Sequence, residues 1–159
     1  MPSRQYATFE VADQLFGVDV AQVQEVLRFH EYTRVPLAPT SVGGLFNLRG
    51  QVIDAVDLRV QLGLPSRDLS VPAMNVIVSV DDEWVSLLVD RIGEVIELDD
   101  EAFEPPPDTL AGAYRHLIVG TFKLQDRLML ALDARRAADT TVPVPAQHST
   151  DEGRLARSA

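Results

Sequence analysis

Asp54 and Asp57 are the nearest approach in this sequence to a catalytic pair, because two carboxylates so spaced can divide acid and base roles or grip a divalent cation. Asp57, however, has a sufficient structural task. It is placed to cap a short helix running through Gln61-Leu62, which Gly63 and then Pro65 bring to an end. Asp54 sits inside an apolar stretch and has no such task. The histidines, His30, His116 and His148, are isolated, and nothing resembles the His-Glu-x-x-His of a zinc hydrolase. Cysteine is absent, which removes thiolate metal sites, thiol nucleophiles and disulfides. There is no Gly-x-Ser-x-Gly elbow, and Gly43-Gly44 with Gly50 lacks the Lys-Ser/Thr of a phosphate loop. Between Ile92 and Tyr114 stand seven acids, Glu94, Glu97, Asp99, Asp100, Glu101, Glu104 and Asp108, with no Lys or Arg among them. They lack the spacing and turn glycine of a calcium loop, and Pro105-Pro106-Pro107 stiffens the segment into a solvated connection; a docking face for a basic partner is the other reading. Residue chemistry thus favours binding over catalysis, with no cofactor or metal expected.

The chain that must position these groups has 159 residues, enough for one domain or for two thin lobes sharing a core. Its net charge of −10 opposes non-specific association with nucleic acid or anionic lipid, since both need a cationic surface. Met1 to Gln14 contains no apolar core of signal-peptide length, and the longest apolar runs, such as Leu128 to Leu132, fall far short of the ~20 residues that span a bilayer. The expectation is a cytoplasmic protein without direct membrane insertion.

Alternation predicts a strand over residues 5–12, a turn at Asp13-Gln14 and a second strand from Leu15 to Val20. Val20, Val23, Val26 and Leu27 suit a short helical turn passing into a strand, with Glu25 at the junction, before Pro36 and Pro39 interrupt regular structure. Residues 41–57 form two apolar runs around Arg49-Gly50, a hairpin whose tip carries a guanidinium. Strands are expected over Asn75 to Val80 and Trp84 to Val89 around an Asp81-Asp82 turn, then at Ile92 to Leu98, Leu117 to Leu124 and Leu128 to Leu132, followed by a helix capped by Asp133. Trp84 and Tyr114 read as core or lobe-interface residues. Residues 4–139 make the folded part, and the polar stretch from 140 to 159 reads as a disordered tail.

The chain also repeats itself. At an offset of 76, from 44 to 120, Gly44, Phe46, Leu48, Ala55, Asp57 and Arg59 coincide with Gly120, Phe122, Leu124, Ala131, Asp133 and Arg135. At an offset of 69, Val20, Glu25 and Val26 coincide with Val89, Glu94 and Val95. Self-similarity in so short a chain suggests two related β-lobes, each too thin to bury a core alone. The repeat also controls for turn chemistry. Where the first copy has Arg49-Gly50, the second has Gln125-Asp126, so the hairpin does not need arginine to turn. A guanidinium on a rigid tip offers five donors in a fixed fork, which suits recognition of a protein carboxylate or carbonyl.

With Val23-Gln24-Glu25-Val26-Leu27-Arg28, Val35-Pro36, Gly44-Leu45-Phe46-Asn47-Leu48-Arg49-Gly50-Gln51-Val52-Ile53 and Val56-Asp57-Leu58-Arg59, the chain resembles the CheW family of chemotaxis coupling proteins. Leu88-Val89-Asp90, Glu94-Val95 and Gly120 fit as well, so the resemblance runs from about Gln5 to Ala138. It implies a mainly β fold of two SH3-like five-stranded barrels around a shared hydrophobic core, with a few short helices. It also implies an adaptor without catalytic activity, which joins the cytoplasmic tip of methyl-accepting chemoreceptors to the regulatory domain of a CheA-type histidine kinase in arrays beneath the membrane. By motif match, the receptor contacts fall on Val23, Glu25 and Arg49, with Gly44, Asn47, Leu48 and Gly50 shaping the surface. Glu25 and Arg49 would then present opposite charges beside a groove between the lobes, and Val23 and Leu48 would add apolar contact area.

Two positions depart from the family's usual pattern: Asp54 stands where proline is common, and Ser86 where glycine is common. Two other functions are compatible with these residues. One is a CheW-like adaptor in a non-flagellar pathway, governing type IV pilus motility or second-messenger output. The other is a small β-barrel metal-binding protein or enzyme built on Asp54 and Asp57.

Overall fold

The structure is a computed structural model that describes residues 2–27, 42–65, 73–110 and 112–140. Among the described residues ten strands carry the fold: β1 Ser3–Val11, β2 Gln14–Asp19, β3 Val23–Leu27, β4 Val42–Leu48, β5 Gln51–Asp57, β6 Met74–Val80, β7 Glu83–Val89, β8 Arg91–Asp99, β9 Ile118–Lys123 and β10 Leu128–Leu132. Three short helices accompany them, α1 Leu58–Gln61, α2 Gly112–Leu117 and α3 Ala134–Ala138, with 3₁₀ turns at Val20–Gln22 and Asp100–Ala102. The expected tail lies outside the described residues from 141 onward, as do the Pro36 and Pro39 breaks.

Hairpin geometry is set by three two-residue turns, Ala12-Asp13, Arg49-Gly50 and Asp81-Asp82, in which both residues have positive φ. Such turns match the right-handed twist of the strands they join. The first falls one residue earlier than expected. Gln14 already belongs to β2, where it pairs with Val11 and its side-chain amide donates to the Leu128 carbonyl at 3.1 Å. Aspartates start the helical segments as anticipated: Asp57 accepts from the Arg59 N–H, and Asp133 from the Arg136 N–H, each at 3.1 Å. Helix α2 was not foreseen. Its apolar spacing is short, but Ala113 and Leu117 are buried and Tyr114 stands against Phe16, ring centroids 6.3 Å apart.

The strands form two five-stranded sheets, ordered β8-β1-β2-β10-β9 and β3-β6-β7-β5-β4. Under the repeat, β1 to β5 correspond to β6 to β10, and the two orders become the same. The lobes do not coincide with the repeat copies, however. Each copy gives its first two strands to one lobe and its last three to the other, so the chain crosses from β2 to β3 through Val20–Gln22 and returns from β7 to β8 through Asp90. In the first lobe the segment beyond β8 reaches the far edge strand: Glu104 and Thr121 exchange backbone hydrogen bonds of 2.9 and 2.8 Å.

Among the described residues burial divides into three clusters. Phe9, Phe16, Val56, Leu58, Leu87 and Leu132, with others, form a core shared between the lobes. Tyr6, Leu15, Phe122, Met129 and Ala131 fill the first lobe, and Leu48, Ile53, Ala55, Ile77 and Leu88 the second. The two interiors use different chemistry at equivalent places. In the first lobe Tyr6 packs edge-on against Phe122, and a Cβ at Gly17 would lie 2.7 Å from the Met129 sulfur. In the second lobe those positions are Asn75 and Ser86, both buried, and the Ser86 hydroxyl donates to Asn75 Oδ1 at 2.9 Å. This is the physical setting of the Ser86 departure: the hydroxyl that replaces a bare glycine finds an acceptor across the strand pair.

Candidate functional site

Glu25 and Arg49 meet across the seam of the second lobe. They come from β3 and the β4–β5 turn, that is, from opposite ends of the strand order, so the sheet must curl until its edges face one another. Arg49 Nη2 donates to Glu25 Oε2 at 2.8 Å, and Nη1 donates to Oε1, which makes the contact a two-pronged fork on a carboxylate. The guanidinium is 63% exposed and the carboxylate 21%. Arg49 holds the Glu25 carboxyl below its usual range, first through these hydrogen bonds and then through charge, and the arginine is raised in turn. The backbone fixes the tip as well: Arg49 has φ +54°, Gly50 has φ +82°, and Asn47 Oδ1 accepts the Gly50 N–H at 2.9 Å.

The other motif residues take different positions. Val23 is half-buried at the edge of the shared core, and Gly44 is buried in β4. Leu48 is buried in the interior of the second lobe, so it supports the turn from behind and does not supply outer contact area as expected. Apolar surface comes instead from residues the motif did not single out, Val26 on β3, Val52 on β5 and Val95 on β8. Their outward direction follows from strand alternation, once the register is known. The Val20–Gln22 turn touches both β1 and β6, the neighbours of the two edge strands β8 and β3. Val26 and Val95, mates in the repeat, therefore stand on edge strands of different lobes.

In the first lobe the same architecture lacks the fork. Glu94 and Gln125 occupy the places of Glu25 and Arg49, so the second lobe alone carries a guanidinium there. The acidic stretch is spread along β8 and the following turn, and several members have local partners. Asp99 accepts from the Glu101 N–H, Ser3 donates to Glu97, Arg4 reaches Asp100 at 3.6 Å and Lys123 reaches Glu104 at 3.7 Å.

Asp54 and Asp57 do not converge. Three positions apart in one strand, they point to opposite faces, Asp54 exposed outside and Asp57 buried at the start of α1. Nothing in the structure explains Asp54. Among the described residues no group of three His, Cys, Asp or Glu side chains is arranged to hold a metal ion, and no helix is long and apolar enough to cross a membrane.

Two five-stranded lobes exchanging strands around one core are the fold of a CheW-like domain, and the family model of that domain matches residues 5–141. The chain belongs to the CheW family. Its relatives include the chemotaxis protein CheW of Treponema pallidum, 28% identical over 138 residues, covering 83% of this chain and 80% of that one. The chemotaxis protein CheW of Helicobacter pylori is 30% identical over 128 residues, covering 80% and 77%. Among solved structures, the scaffolding protein TtCheW of Thermoanaerobacter tengcongensis matches with a TM-score of 0.75 and 30% identity, covering 84% of this chain and 90% of that one.

Proposed function

We propose that this chain is a non-enzymatic adaptor that couples methyl-accepting chemoreceptors to a CheA-type histidine kinase, working in the cytoplasm at receptor arrays. Family membership supports the coupling role. The observation that carries the site is the Glu25–Arg49 fork: its guanidinium is exposed, carried on the Arg49-Gly50 turn whose two residues have positive φ, and missing from the equivalent place in the other lobe. The corresponding position in the first lobe is Gln125, and the arginine of that turn, Arg127, pairs instead with Glu10 of its own lobe. A receptor helix pair lying along the edge strands would meet Val23, Val26 and Val95 as apolar contacts, with Glu25 and Arg49 selecting polar partners at the rim. Asn47, Gly44, Leu48 and Gly50 hold the tip in shape. The kinase's regulatory domain, which in this family shares the fold, would dock elsewhere on the lobes.

Pull-down by a receptor cytoplasmic fragment and by the kinase regulatory domain tests the reading. Arg49→Asp should lose the receptor and keep the kinase, with unchanged circular dichroism. Receptor capture undiminished in a folded variant would overturn the site.

A further inference from the structure

The second crossover between the lobes is a single residue, and it is unusually well tied. The Asp90 N–H donates to the Glu10 carbonyl at 3.0 Å. Its carboxylate accepts the Ala12 N–H at 2.8 Å, Arg59 Nη2 at 2.7 Å and Arg59 Nε at 3.1 Å. Ala12 is in the hairpin turn of the first lobe, and Arg59 is in α1 of the second. One carboxylate therefore joins the crossover, one lobe's turn and the other lobe's helix.

The repeat mate of Arg59 makes the reciprocal connection. Arg135, in α3 after the last strand of the first lobe, forks onto Asp81 in the β6–β7 turn of the second, with Nη2 to Oδ1 at 2.7 Å. Asp81 is the repeat mate of Ala12, and both have φ +52°. Each lobe's helix arginine thus seizes the other lobe's hairpin tip, directly in one case and through Asp90 in the other. Between these points the buried Gln61 amide donates to the Ala137 and Asp139 carbonyls at 2.8 and 3.1 Å, joining α1 to the end of α3. The apolar core between the lobes favours contact but has little directional preference, whereas forked charge-assisted hydrogen bonds do.

We infer that the Arg59–Asp90–Ala12 and Arg135–Asp81 contacts are a pair of quasi-equivalent latches that fix the angle between the lobes. The latches differ in strength. Arg59 and Asp90 are 29% and 27% exposed, while Arg135 and Asp81 are 61% and 66% exposed, so salt opens the second first. Because β3 and β8 belong to different lobes, the angle sets the spacing of Val26 and Val95; that last step rests on reading the groove as the receptor's seat.

The absence of cysteine makes the test direct. Gln51→Cys and Gln125→Cys place spin labels on exposed hairpin tips of the two lobes, and pulsed dipolar spectroscopy reads the distance distribution between them. Arg135→Gln should broaden it, Arg59→Lys, which keeps the charge and loses the fork, should broaden it more, and about 1 M NaCl should move the unmodified pair toward the Arg135→Gln result. Near-UV circular dichroism should stay as in the parent. An unchanged narrow distribution in both variants, or broadening accompanied by loss of the near-UV signal, would overturn the proposal. Receptor binding plays no part in this readout, so failure of the adaptor reading leaves it standing.

Discussion

The ring of Phe103 occupies the space that a side chain at position 120 would need. A Cβ built on Gly120 falls 2.0 Å from Phe103 Cζ and 2.8 Å from the Glu104 carbonyl oxygen. Phe103 also meets Phe122 edge-on, ring centroids 5.5 Å apart, beside the Glu104–Thr121 backbone pair. The glycine is what lets the segment after β8 lie flat on β9, and so lets the first lobe close.

Gly120→Ala should therefore destabilise the protein by about 1–3 kcal/mol, the usual cost of overpacking, read as a lower urea midpoint. Adding Phe103→Ala frees the contested space, so the double variant should lose less than the two single changes sum to. Strict additivity would show that the ring and the glycine do not share one site.

Ser86 and Asn75 form a buried polar pair, and Asn75 Nδ2 has no hydrogen-bond partner among the described residues. Ser86→Ala removes the hydroxyl donor and leaves the amide oxygen stranded, at a cost of about 1–3 kcal/mol. Ser86→Ala with Asn75→Leu should recover most of that stability, because an apolar pair leaves nothing unsatisfied. Chemical denaturation of the four proteins in the cycle decides the matter.

The Glu25 carboxyl is held below its ordinary range chiefly by its hydrogen bonds from Arg49. A depressed carboxyl contributes stability above its unfolded pKa and loses it as pH falls through the lower folded value. The fork should accordingly persist at neutral pH and open only as the pH falls below the ordinary carboxylate range. In Arg49→Gln the Glu25 side-chain carbon resonance should titrate at higher pH than in the parent. The same midpoint in both would mean that the fork does not form in solution.

Gln61 is buried and donates to two carbonyls at the end of α3. Gln61→Ala should cost about 1–2 kcal/mol and speed amide exchange in Ala134–Ala138 more than in β1 or β6. Gln61→Glu, which keeps the length and lacks the donor, should behave as badly or worse.

Much of the fold was legible where one residue type has one job. Gly50 at a two-residue tip, Asp57 and Asp133 at helix starts, and Asp81-Asp82 between alternating strands all announce local geometry. The motif residues did likewise for Glu25 and Arg49, although their contact is invisible to a strand reading, because it depends on closing a sheet whose edges lie far apart in order. Strand exchange was not legible for a related reason. Offsets of 76 and 69 reveal that two copies exist, but pairing partners are chosen by burial across the whole molecule, and the periodicity of β3 is the same in either lobe. Leu48 shows the remaining difficulty: beside an exposed arginine it reads as surface, and only the register turns it inward.

The exchange of strands has a consequence for the order in which the protein can acquire structure. A ribosome that has released the first copy has completed neither lobe, since β1 and β2 still await β8, β9 and β10, and β3, β4 and β5 await β6 and β7. Two of the awaited strands, β9 and β10, come from the last third of the described residues, and the β1–β2 hairpin, formed early, must remain open-edged until then. The nascent chain therefore emerges with unpaired edges through most of its synthesis, and commitment comes late, when Leu128–Leu132 inserts beside β2.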